Sequence, residues 1–349
     1  MGYSFFPIAI FLAVNNKCNL FCKMCDIGQR KTDTSFYKNM KTDEETLSID
    51  DWRRFIDDVT PWRPSIDIVG VEPLMYRDLG KLLEYIRSKG LVSHLTTNGT
   101  LLKKRAEELA HMDLEGLFVS IDGFAQLHDK IRGVPGTFDK AVEGIEAFLS
   151  AQKRIGGSTT IHITTTISPP NHHRLYDIAV ALGKLPVNSL TMNHFSFLPE
   201  KLVDRCQEQY GHDFVVKVSS LGGVELEDVD VEVLWAEMDR VKAYAASSPF
   251  PMNIAPSFSK DEVETWYQPP FLSLRPQGYC NVPWTCAGIN SNGDVINIFR
   301  CPYPTFGNIR KIPFSQIWNN KKYVTFRRSL RKDRFLFCTR CRRSFNTTP

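Results

Sequence analysis

The sequence predicts an α/β fold built on a parallel sheet, with a second, smaller domain at its C-terminal end. Between residue 7 and about residue 197, short β-rich runs alternate with segments whose apolar residues recur at helical spacing. About six strand–helix units follow one another, and this order forms a parallel sheet that is either curled into a barrel or doubly wound. From residue 280 onward the composition changes to many aromatic, Gly and Pro residues, and this part holds five of the nine cysteines.

The predicted elements of the sheet follow in order along the chain. Six β-rich runs are predicted strands, at residues 8–14, 65–70, 92–97, 114–121, 159–167 and 189–197. Helical spacing predicts helices at residues 76–90, 100–112, 137–154 and 172–185. A further amphipathic helix, residues 229–248, precedes two proline-bearing stretches that resemble a linker. We therefore predict three regions: a barrel at 1–200, a connecting helical segment at 201–275 and a small domain at 276–349.

Composition excludes several classes of function. The chain has 349 residues, 42% hydrophobic and 23% charged residues, and a net charge of +4, which is ordinary for a soluble globular protein. Eight Arg or Lys residues lie within residues 327–343; such a run is most often a solvated face and less often a contact for an anionic substrate or RNA. The mild charge and the lack of a recognisable RNA-binding module make nucleic acid an unexpected partner.

The apolar run at residues 5–14 is too short for a membrane span and lacks the basic flank of a signal peptide. A cytoplasmic location without a membrane partner is therefore expected. Nine cysteines in that compartment point to metal binding or redox work more than to disulfides.

Three cysteines directly follow the first predicted strand. Cys18, Cys22 and Cys25 form a C-x3-C-x2-C pattern, and in parallel α/β folds chemistry collects at the carboxyl ends of the strands. Three thiolates are one short of closing a zinc site, and no histidine precedes His94. A four-iron cluster held by three thiolates keeps one iron open for a ligand that the protein does not supply. Three buried structural cysteines are the less favoured alternative.

Four segments in the same order resemble the radical S-adenosylmethionine (SAM) superfamily. They are the three-cysteine stretch, VGVEPL at 69–74, TTNGTLL at 96–102 and VSIDGFAQLHDKIRG at 119–133. The resemblance implies a cluster on Cys18, Cys22 and Cys25. It also implies cofactor-binding roles for Gly70, Val71, Glu72, Pro73, Thr97, Asn98, Ser120, Asp122 and Arg132.

Within this resemblance, Arg132 is the residue that corresponds to the carboxylate-binding position for the methionine part of SAM, since a guanidinium binds a carboxylate bidentately. Without the resemblance, Arg132 would be an ion-pair partner, Glu72 a helix-start acid and Ser120 a capping or core hydroxyl. Two positions depart from the family pattern: Met24 stands where an aromatic residue is common, and Val71 replaces a glycine. They put the shape of the adenine pocket and of the backbone turn in doubt.

What the family implies is one-electron reduction of SAM, with the electron supplied by an external donor of flavodoxin or ferredoxin type. The resulting 5′-deoxyadenosyl radical then removes a hydrogen atom from substrate. The cofactor performs this chemistry while the protein supplies orientation and excludes water. The resemblance also implies that the sheet forms a partial (β/α)6 barrel.

The C-terminal cysteines resemble the auxiliary-cluster region known as SPASM in its full form and twitch in its shortened form. The resemblance rests on C-x-x-P-W at Cys280, Gly-Asp-Val at 293–295, Gly-Asn-Ile at 307–309 and a final C-x-x-C. It implies a small iron–sulfur domain with one auxiliary [4Fe–4S] cluster, and hence two clusters in the whole chain. The auxiliary ligands implied are Cys280, Cys301, Cys338 and Cys341. Cys286 is surplus and either replaces one of them or acts as a hydrogen donor; a structural zinc is the alternative occupant.

Two reaction classes fit one auxiliary cluster. Dehydrogenation passes the leftover electron to that cluster, whereas epimerisation quenches the substrate radical with a thiol, for which Cys286 and Cys206 are the candidate catalytic residues. We favour dehydrogenation of a small polar substrate such as a sugar, an aminocyclitol or a nucleotide-linked derivative. A peptide-modifying enzyme, an RNA-modifying enzyme and a non-catalytic iron–sulfur carrier are further alternatives. Candidate substrate contacts are His162, Thr164, Asn193, His194 and Arg300, although packing within the barrel is the favoured explanation for each of them.

Overall fold

The computed structural model describes residues 2–40, 44–210, 228–269, 280–301, 305–332 and 334–342. Its first part contains β1 Ala9–Ala13, α1 Ser35–Met40, α2 Ile49–Val59, β2 Ser65–Val69, α3 Leu79–Ser88, β3 Ser93–Thr97, α4 Leu102–Ala110, β4 Gly116–Ser120, α5 Ala125–Arg132, α6 Thr137–Ile155, β5 Thr160–Ile167, α7 Leu175–Leu182 and β6 Ser189–His194. The remainder contains α8 Glu200–Tyr210, α9 Val231–Ala245, β7 Met252–Ala255, α10 Lys260–Tyr267, α11 Val282–Thr285, β8 Cys286–Ile289, β9 Asp294–Ile296, β10 Gly307–Asn308, α12 Phe314–Ile317 and α13 Lys321–Lys332.

The described strands form one sheet in the order β10-β9-β8-β1-β2-β3-β4-β5-β6-β7. Strands β1 to β7 pair in parallel with their neighbours, and β8 pairs in parallel with β1. Only the β8–β9 and β9–β10 pairs are antiparallel. The strand order is linear, so the curled sheet has two edges and forms a partial barrel. The predicted α/β class and barrel are thereby confirmed.

All six predicted strands are present, and five predicted helices correspond to α3, α4, α6, α7 and α9. The predicted linker was wrong at one point, because Met252–Ala255 forms β7 parallel to β6. Four residues at a sheet edge, bracketed by Pro251 and Pro256, carry too little pattern to be recognised as a strand. Strand β8 extends the barrel sheet, and the predicted division at residues 200 and 275 stays a prediction.

Side chains alternate between two environments along each barrel strand. In β5, Ile161 and Ile163 are fully buried beneath the helices, whereas His162 and Thr164 on the opposite face are half-buried. This alternation follows from the two-residue period of a strand. The apolar side chains thus build the core outside the barrel wall, and the polar side chains face its interior.

Helix α2, which the sequence reasoning did not identify, links the barrel to the C-terminal part. Ser48 caps it, accepting a hydrogen bond from the backbone of Asp51 while the Asp51 carboxylate accepts from the Ser48 backbone. Its buried Phe55 meets Phe314 of α12 edge-on, with 5.7 Å between ring centroids. None of the described helices is both long and apolar enough to cross a membrane.

Candidate functional site

The loop that follows β1 carries the first three cysteines and is fixed against the end of α5. The backbone N–H groups of Phe21 and Lys23 donate to the carbonyls of Arg132 and Ile131 at 3.1 and 3.0 Å. A short turn closes within the loop, with the N–H of Cys25 donating to the carbonyl of Cys22 at 3.1 Å. The cysteine loop, residues 18–25, is therefore held at the carboxyl end of the barrel by backbone contacts.

The thiols of this loop are poorly solvated. Burial raises the pKa of Cys22 to about 12 and that of Cys18 to about 11. The guanidinium of Arg132 opposes this effect at Cys22, where its Nη1 lies 3.8 Å from Sγ. Thiolates at these positions require a strong cationic partner, since only the deprotonated thiol binds metal. Three adjacent thiols, one buried and two partly exposed, fit an iron cluster.

Glu72 connects the ends of β2 and β3. Its fully buried carboxylate accepts hydrogen bonds from Thr97 Oγ1 at 2.7 Å, the Asn98 N–H at 2.8 Å and the Leu74 N–H at 3.0 Å. Its own N–H donates to the carbonyl of Lys17, just before the cysteine loop. Burial raises the pKa of Glu72, and the three donors act in the opposite direction. Three of the predicted cofactor residues thus form one scaffold beside the loop.

Asp122 and Arg132 form a buried ion pair next to the cysteine loop. Arg132 Nη2 lies 2.6 Å from Asp122 Oδ2, and Asp122 Oδ1 accepts from the Thr166 N–H at 2.8 Å. Burial raises the pKa of Asp122 although the arginine works against that shift. The pair brings two predicted cofactor residues together, with the guanidinium shared between the carboxylate and Cys22.

A cavity of about 620 Å³ lies between the carboxyl ends of the barrel strands and the C-terminal part. Gly70 and Ser120 line its barrel side. At Gly70 the backbone has φ +112°, and a Cβ there would lie 2.8 Å from the Cβ of Ala13, so a side chain is excluded. The other side of the cavity is lined by Cys280, Cys301, Cys338 and Cys341.

These four C-terminal cysteines lie close to one another. Burial raises the pKa of Cys338 well above its ordinary value, and the neighbouring thiols of Cys301, Cys341 and Cys280 raise it further. Within the described ranges, no group of three or more His, Cys, Asp or Glu side chains is arranged to hold a single metal ion. A four-iron cube presents its irons at separate corners, so its thiolates need not meet at one point. Four thiols from distant segments of the chain fit the ligand set of a four-iron cluster.

The walls of the cavity combine aromatic rings with arginines. The rings are those of Phe11, Phe36, Phe197, Phe299, Phe326 and Phe337, and the arginines are Arg300, Arg340 and Arg342. Two of the arginines meet at one serine: Arg342 Nε donates to Ser196 Oγ at 2.6 Å, and Arg300 Nη1 lies 3.5 Å from the Ser196 carbonyl. Arg340 is buried and donates from Nη2 to the Trp266 carbonyl at 2.9 Å. This wall can bind anionic groups.

The predicted substrate contacts divide into two groups. Asn193 and Arg300 line the cavity, and the hydroxyl of Thr164 lies 3.4 Å from that of Ser120. His162 lies lower in the barrel, hydrogen-bonded to two hydroxyls on β5 and β6. His194 is fully buried against the Tyr267 hydroxyl at 3.0 Å. The two histidines are therefore not among the residues that line the cavity.

Cys286 and Cys206, the predicted hydrogen donors, also lie away from the cavity lining. Cys286 pairs with Ala9 at the amino end of β1, opposite to the end that carries the cysteine loop. Cys206 is fully buried in the core on α8. Their catalytic role stays a prediction, and their positions favour packing. All nine cysteines are present as thiols.

The sequence reasoning missed Ser196 and Arg342 as cavity residues. Ser196 was placed within a predicted strand, and Arg342 within a basic run judged most often to be a solvated face. The alternative reading of that run, contact with an anionic substrate, was the available signal for Arg342. No sequence signal identified the serine, because its role depends on arginines more than a hundred positions away.

Taken together, the cysteine loop after β1 and the four C-terminal cysteines that line the cavity define an iron–sulfur protein on a partial barrel. The sequence profile of the radical SAM superfamily matches residues 12–182, and that of the iron–sulfur cluster-binding SPASM domain matches residues 280–342. The chain belongs to the radical SAM superfamily and carries a SPASM auxiliary-cluster domain, so SAM and two [4Fe–4S] clusters are its cofactors.

Curated relatives match most of the chain at modest identity. The AdoMet-dependent heme synthase of Methanosarcina barkeri is 29% identical over 318 residues, which cover 87% of this chain and 79% of that protein. The pre-heme d1 synthase of Dinoroseobacter shibae is 23% identical over 89% of this chain and 73% of its own length. The Fe-coproporphyrin III synthase of M. barkeri is 35% identical, but the match covers only 45% of this chain and 37% of that protein.

Solved structures share the fold. Streptococcus suis SuiB bound to S-adenosylmethionine superimposes with a TM-score of 0.64 at 18% identity, over 92% of this chain and 68% of SuiB. The enzyme anSMEcpe with bound AdoMet and a peptide gives a TM-score of 0.63 at 17% identity, over 98% and 91% of the two chains. At these identities the likeness is one of fold alone.

Proposed function

We propose that this chain is a radical SAM oxidoreductase whose substrate carries carboxylates on a large, partly apolar frame, with a tetrapyrrole as the favoured class. The observation that carries the proposal is the cavity of about 620 Å³, which is lined by aromatic rings, arginines and the four C-terminal cysteines. A flat apolar macrocycle with carboxylate side chains matches such walls. The names of the heme synthase and pre-heme d1 synthase relatives support this class over a sugar or an aminocyclitol.

The proposed ligands of the SAM-binding cluster are Cys18, Cys22 and Cys25, and those of the auxiliary cluster are Cys280, Cys301, Cys338 and Cys341. The mutual proximity of the thiols in each group supports both sets. Cys280 is favoured over Cys286 because Cys280 borders the cavity together with the other three. An external one-electron donor of flavodoxin or ferredoxin type completes the system.

When bound, SAM and the clusters would supply hydrogen-atom abstraction and one-electron acceptance. The chain's own residues position the reactants. Gly70 allows close approach of the backbone, and Ser120 offers a hydroxyl on the same wall. Arg132, paired with Asp122, contributes charge beside the cysteine loop. Oxidation is favoured over epimerisation because neither Cys286 nor Cys206 lines the cavity.

Anaerobic reconstitution tests the ligand sets. We expect about eight irons per chain and formation of 5′-deoxyadenosine on reduction with SAM. Cys18→Ala should lose about half of the iron and all of the 5′-deoxyadenosine, whereas Cys286→Ala should keep both. Full activity of Cys18→Ala, or loss of the auxiliary cluster in Cys286→Ala, would contradict the assignment.

The substrate class is tested with a matched pair of compounds. An iron porphyrin that carries free carboxylates should stimulate 5′-deoxyadenosine formation and be converted, whereas its methyl ester should be a poor substrate. An aminocyclitol and a peptide are assayed in parallel. Turnover of one of these alone would overturn the tetrapyrrole proposal.

The arginine wall provides a further prediction. Arg300→Gln or Arg342→Gln should raise KM for the carboxylate substrate about tenfold or more, because each loses a charged hydrogen bond. The control is Arg310→Gln, since Arg310 lies outside this cavity and contacts the carbonyl of Thr46. Equal KM values in steady-state kinetics of the wild-type chain and the wall variants would contradict the role of the wall.

A further inference from the structure

We propose that Tyr323 and Arg327 on α13 form an electrostatic support that raises the reduction potential of the auxiliary cluster and so favours its role as electron acceptor. The inference rests on the proposed auxiliary ligand set. It concerns two residues that the sequence reasoning did not single out, and their contacts, burial and charge carry the argument.

One face of α13 borders the auxiliary cysteines. Its buried residues include Tyr323, Phe326, Arg327 and Leu330, which follow one another at the spacing of a single helical face. Phe326 and Leu330 line the cavity together with Cys301 and the other proposed ligands. Tyr323 and Arg327, on the same helix, are fully buried. The helix therefore presents a phenol and a guanidinium from the same surface that bounds the cluster region.

Arg327 is a buried cation held by neutral groups. Its guanidinium carbon lies 4.3 Å from the ring centroids of both Trp318 and Tyr323. Nε donates to the Pro283 carbonyl at 2.7 Å, and Nη1 donates to Asn319 Oδ1 at 2.7 Å. In the described part of the chain, no carboxylate lies within ion-pair distance of this side chain.

The charge of Arg327 persists under working conditions. Burial lowers the pKa of Arg327 to about 10, which leaves the guanidinium protonated at neutral pH. Since Pro283 lies between Cys280 and Cys286 in the sequence, the contact to its carbonyl anchors the cation to the segment that carries a proposed cluster ligand. A buried cation without an anionic neighbour fits a nearby group of negative charge, which an iron–sulfur cluster with four thiolates provides.

The ring of Tyr323 contacts that cation directly. Its ring stacks on Phe306 with 3.8 Å between centroids, so the phenol has little freedom. The hydroxyl is buried and has no hydrogen-bond partner among the described residues. Burial raises the pKa of Tyr323, with Cys286 and Cys301 nearby raising it further, so the group is an O–H donor. An unpaired buried donor beside thiolate ligands suits an acceptor sulfur.

The direction of the effect follows from charge. Reduction adds one negative charge to a cluster, and a fixed cation or an O–H donor stabilises the reduced form more than the oxidised form. A low local dielectric strengthens the interaction because both side chains are buried. The reduction potential of the auxiliary cluster therefore rises, while the SAM-binding cluster, whose proposed ligands lie in the loop after β1 beside Arg132, is affected much less.

The experiment is a redox titration of both clusters in the reconstituted full chain without substrate, followed by electron paramagnetic resonance. Tyr323→Phe and Arg327→Met should each lower the midpoint potential of the auxiliary cluster and leave the SAM-binding cluster unchanged. Arg327→Lys keeps the charge and should lie close to wild type. Arg328→Met, a change at an exposed neighbour on α13, is the matched control and should have no effect.

Wild-type auxiliary potentials in both Tyr323→Phe and Arg327→Met would overturn the proposal, as would equal shifts of the two clusters. If Arg327→Met fails to fold or loses iron, Tyr323→Phe and Arg327→Lys decide the question, since both preserve the shape of the site. A wild-type chain that holds only about four irons would overturn the auxiliary ligand set and this inference together. If the chain holds two clusters but the auxiliary potential is unchanged in both variants, only the proposed effect of Tyr323 and Arg327 on that potential is overturned.

Discussion

The carboxylate of Glu72 accepts hydrogen bonds from three donors on the connections that follow β2 and β3. The sequence associated this residue with cofactor binding through the resemblance, and the structure adds a scaffold role. Because its backbone N–H also contacts the carbonyl of Lys17, the residue couples the barrel to the cysteine loop.

Replacing Glu72 by Gln is therefore expected to destabilise the fold by about 1–3 kcal/mol, because an amide N–H₂ would face a buried donor. Urea unfolding of the protein without clusters measures the change. Glu84→Gln, at an exposed position on α3, is the control and should leave the midpoint unchanged. An identical midpoint in the two variants would contradict the scaffold role.

His194 makes the stability of the chain depend on pH. Burial lowers the pKa of His194 to about 3, whereas an unfolded histidine titrates near 6.5. Because the unfolded chain binds the proton first, this contribution is complete above about pH 6.5 and is lost as pH falls from there towards 3.

We expect His194→Gln to flatten the dependence of the unfolding free energy on pH between about pH 6.5 and 5, by up to about 1.4 kcal/mol per pH unit. Denaturant titrations at several pH values measure this slope. His111→Gln, at an exposed histidine, should retain the wild-type slope. A slope unchanged by His194→Gln would show that the imidazole is not held neutral.

At the scale of elements, the contact between α5 and the cysteine loop decides where the first three thiols lie. Helix α5 ends at Gly133, whose φ is +74°, and a Cβ there would lie 2.6 Å from the carbonyl oxygen of Phe21. Gly136 has the same φ of +74°, yet a Cβ there would have nothing within 4 Å. Comparing substitutions at these two glycines therefore distinguishes the effect of backbone strain from the effect of a steric clash with the loop.

Gly133→Ala should therefore displace the cysteine loop and reduce the iron content of the SAM-binding cluster together with 5′-deoxyadenosine formation. Gly136→Ala carries only the cost of a left-handed backbone, roughly 1–2 kcal/mol, and should bind iron normally. Iron analysis and thermal unfolding of both variants provide the measurement. Equal iron contents in the two would indicate that the loop tolerates the added methyl group.

At the scale of the whole molecule, the proposed auxiliary ligands come from separate segments around the cavity: one before α11, one after β9 and two at the C-terminal end. A cluster that binds these segments only in the folded chain stabilises that state. The segments that precede and follow helix α13 are thereby connected through one group.

Removal of iron is accordingly expected to lower the thermal unfolding midpoint. Cys338→Ala should lose part of the difference between the loaded and iron-free forms, because only the SAM-binding cluster would remain. Cys206→Ala, a buried cysteine outside both ligand sets, should keep the full difference even if its own midpoint is lower. Differential scanning calorimetry under anaerobic conditions measures the loaded and iron-free forms of all three chains.

Much of the architecture could be predicted because its signals are local. Six strands and five helices were recognisable from periodicity, and the spacing of Cys18, Cys22 and Cys25 indicated an open cluster. Strand β7 was missed because its four residues carry no clear alternation, and its place in the sheet depends on pairing with β6. Helix α2 was missed despite a capping box at Ser48, a signal that was available in the sequence.

The sequence by itself determined the class of chemistry, since cysteine spacing and the motifs at successive strand ends are properties of short segments. Only the tertiary structure decided which residues share the cavity: it brought Ser196 to Arg342, packed Arg327 against the ring of Tyr323, and left Cys286 and Cys206 away from the lining. Such proximities arise from sheet pairing and helix packing between distant parts of the chain, and spacing along one segment carries no information about them.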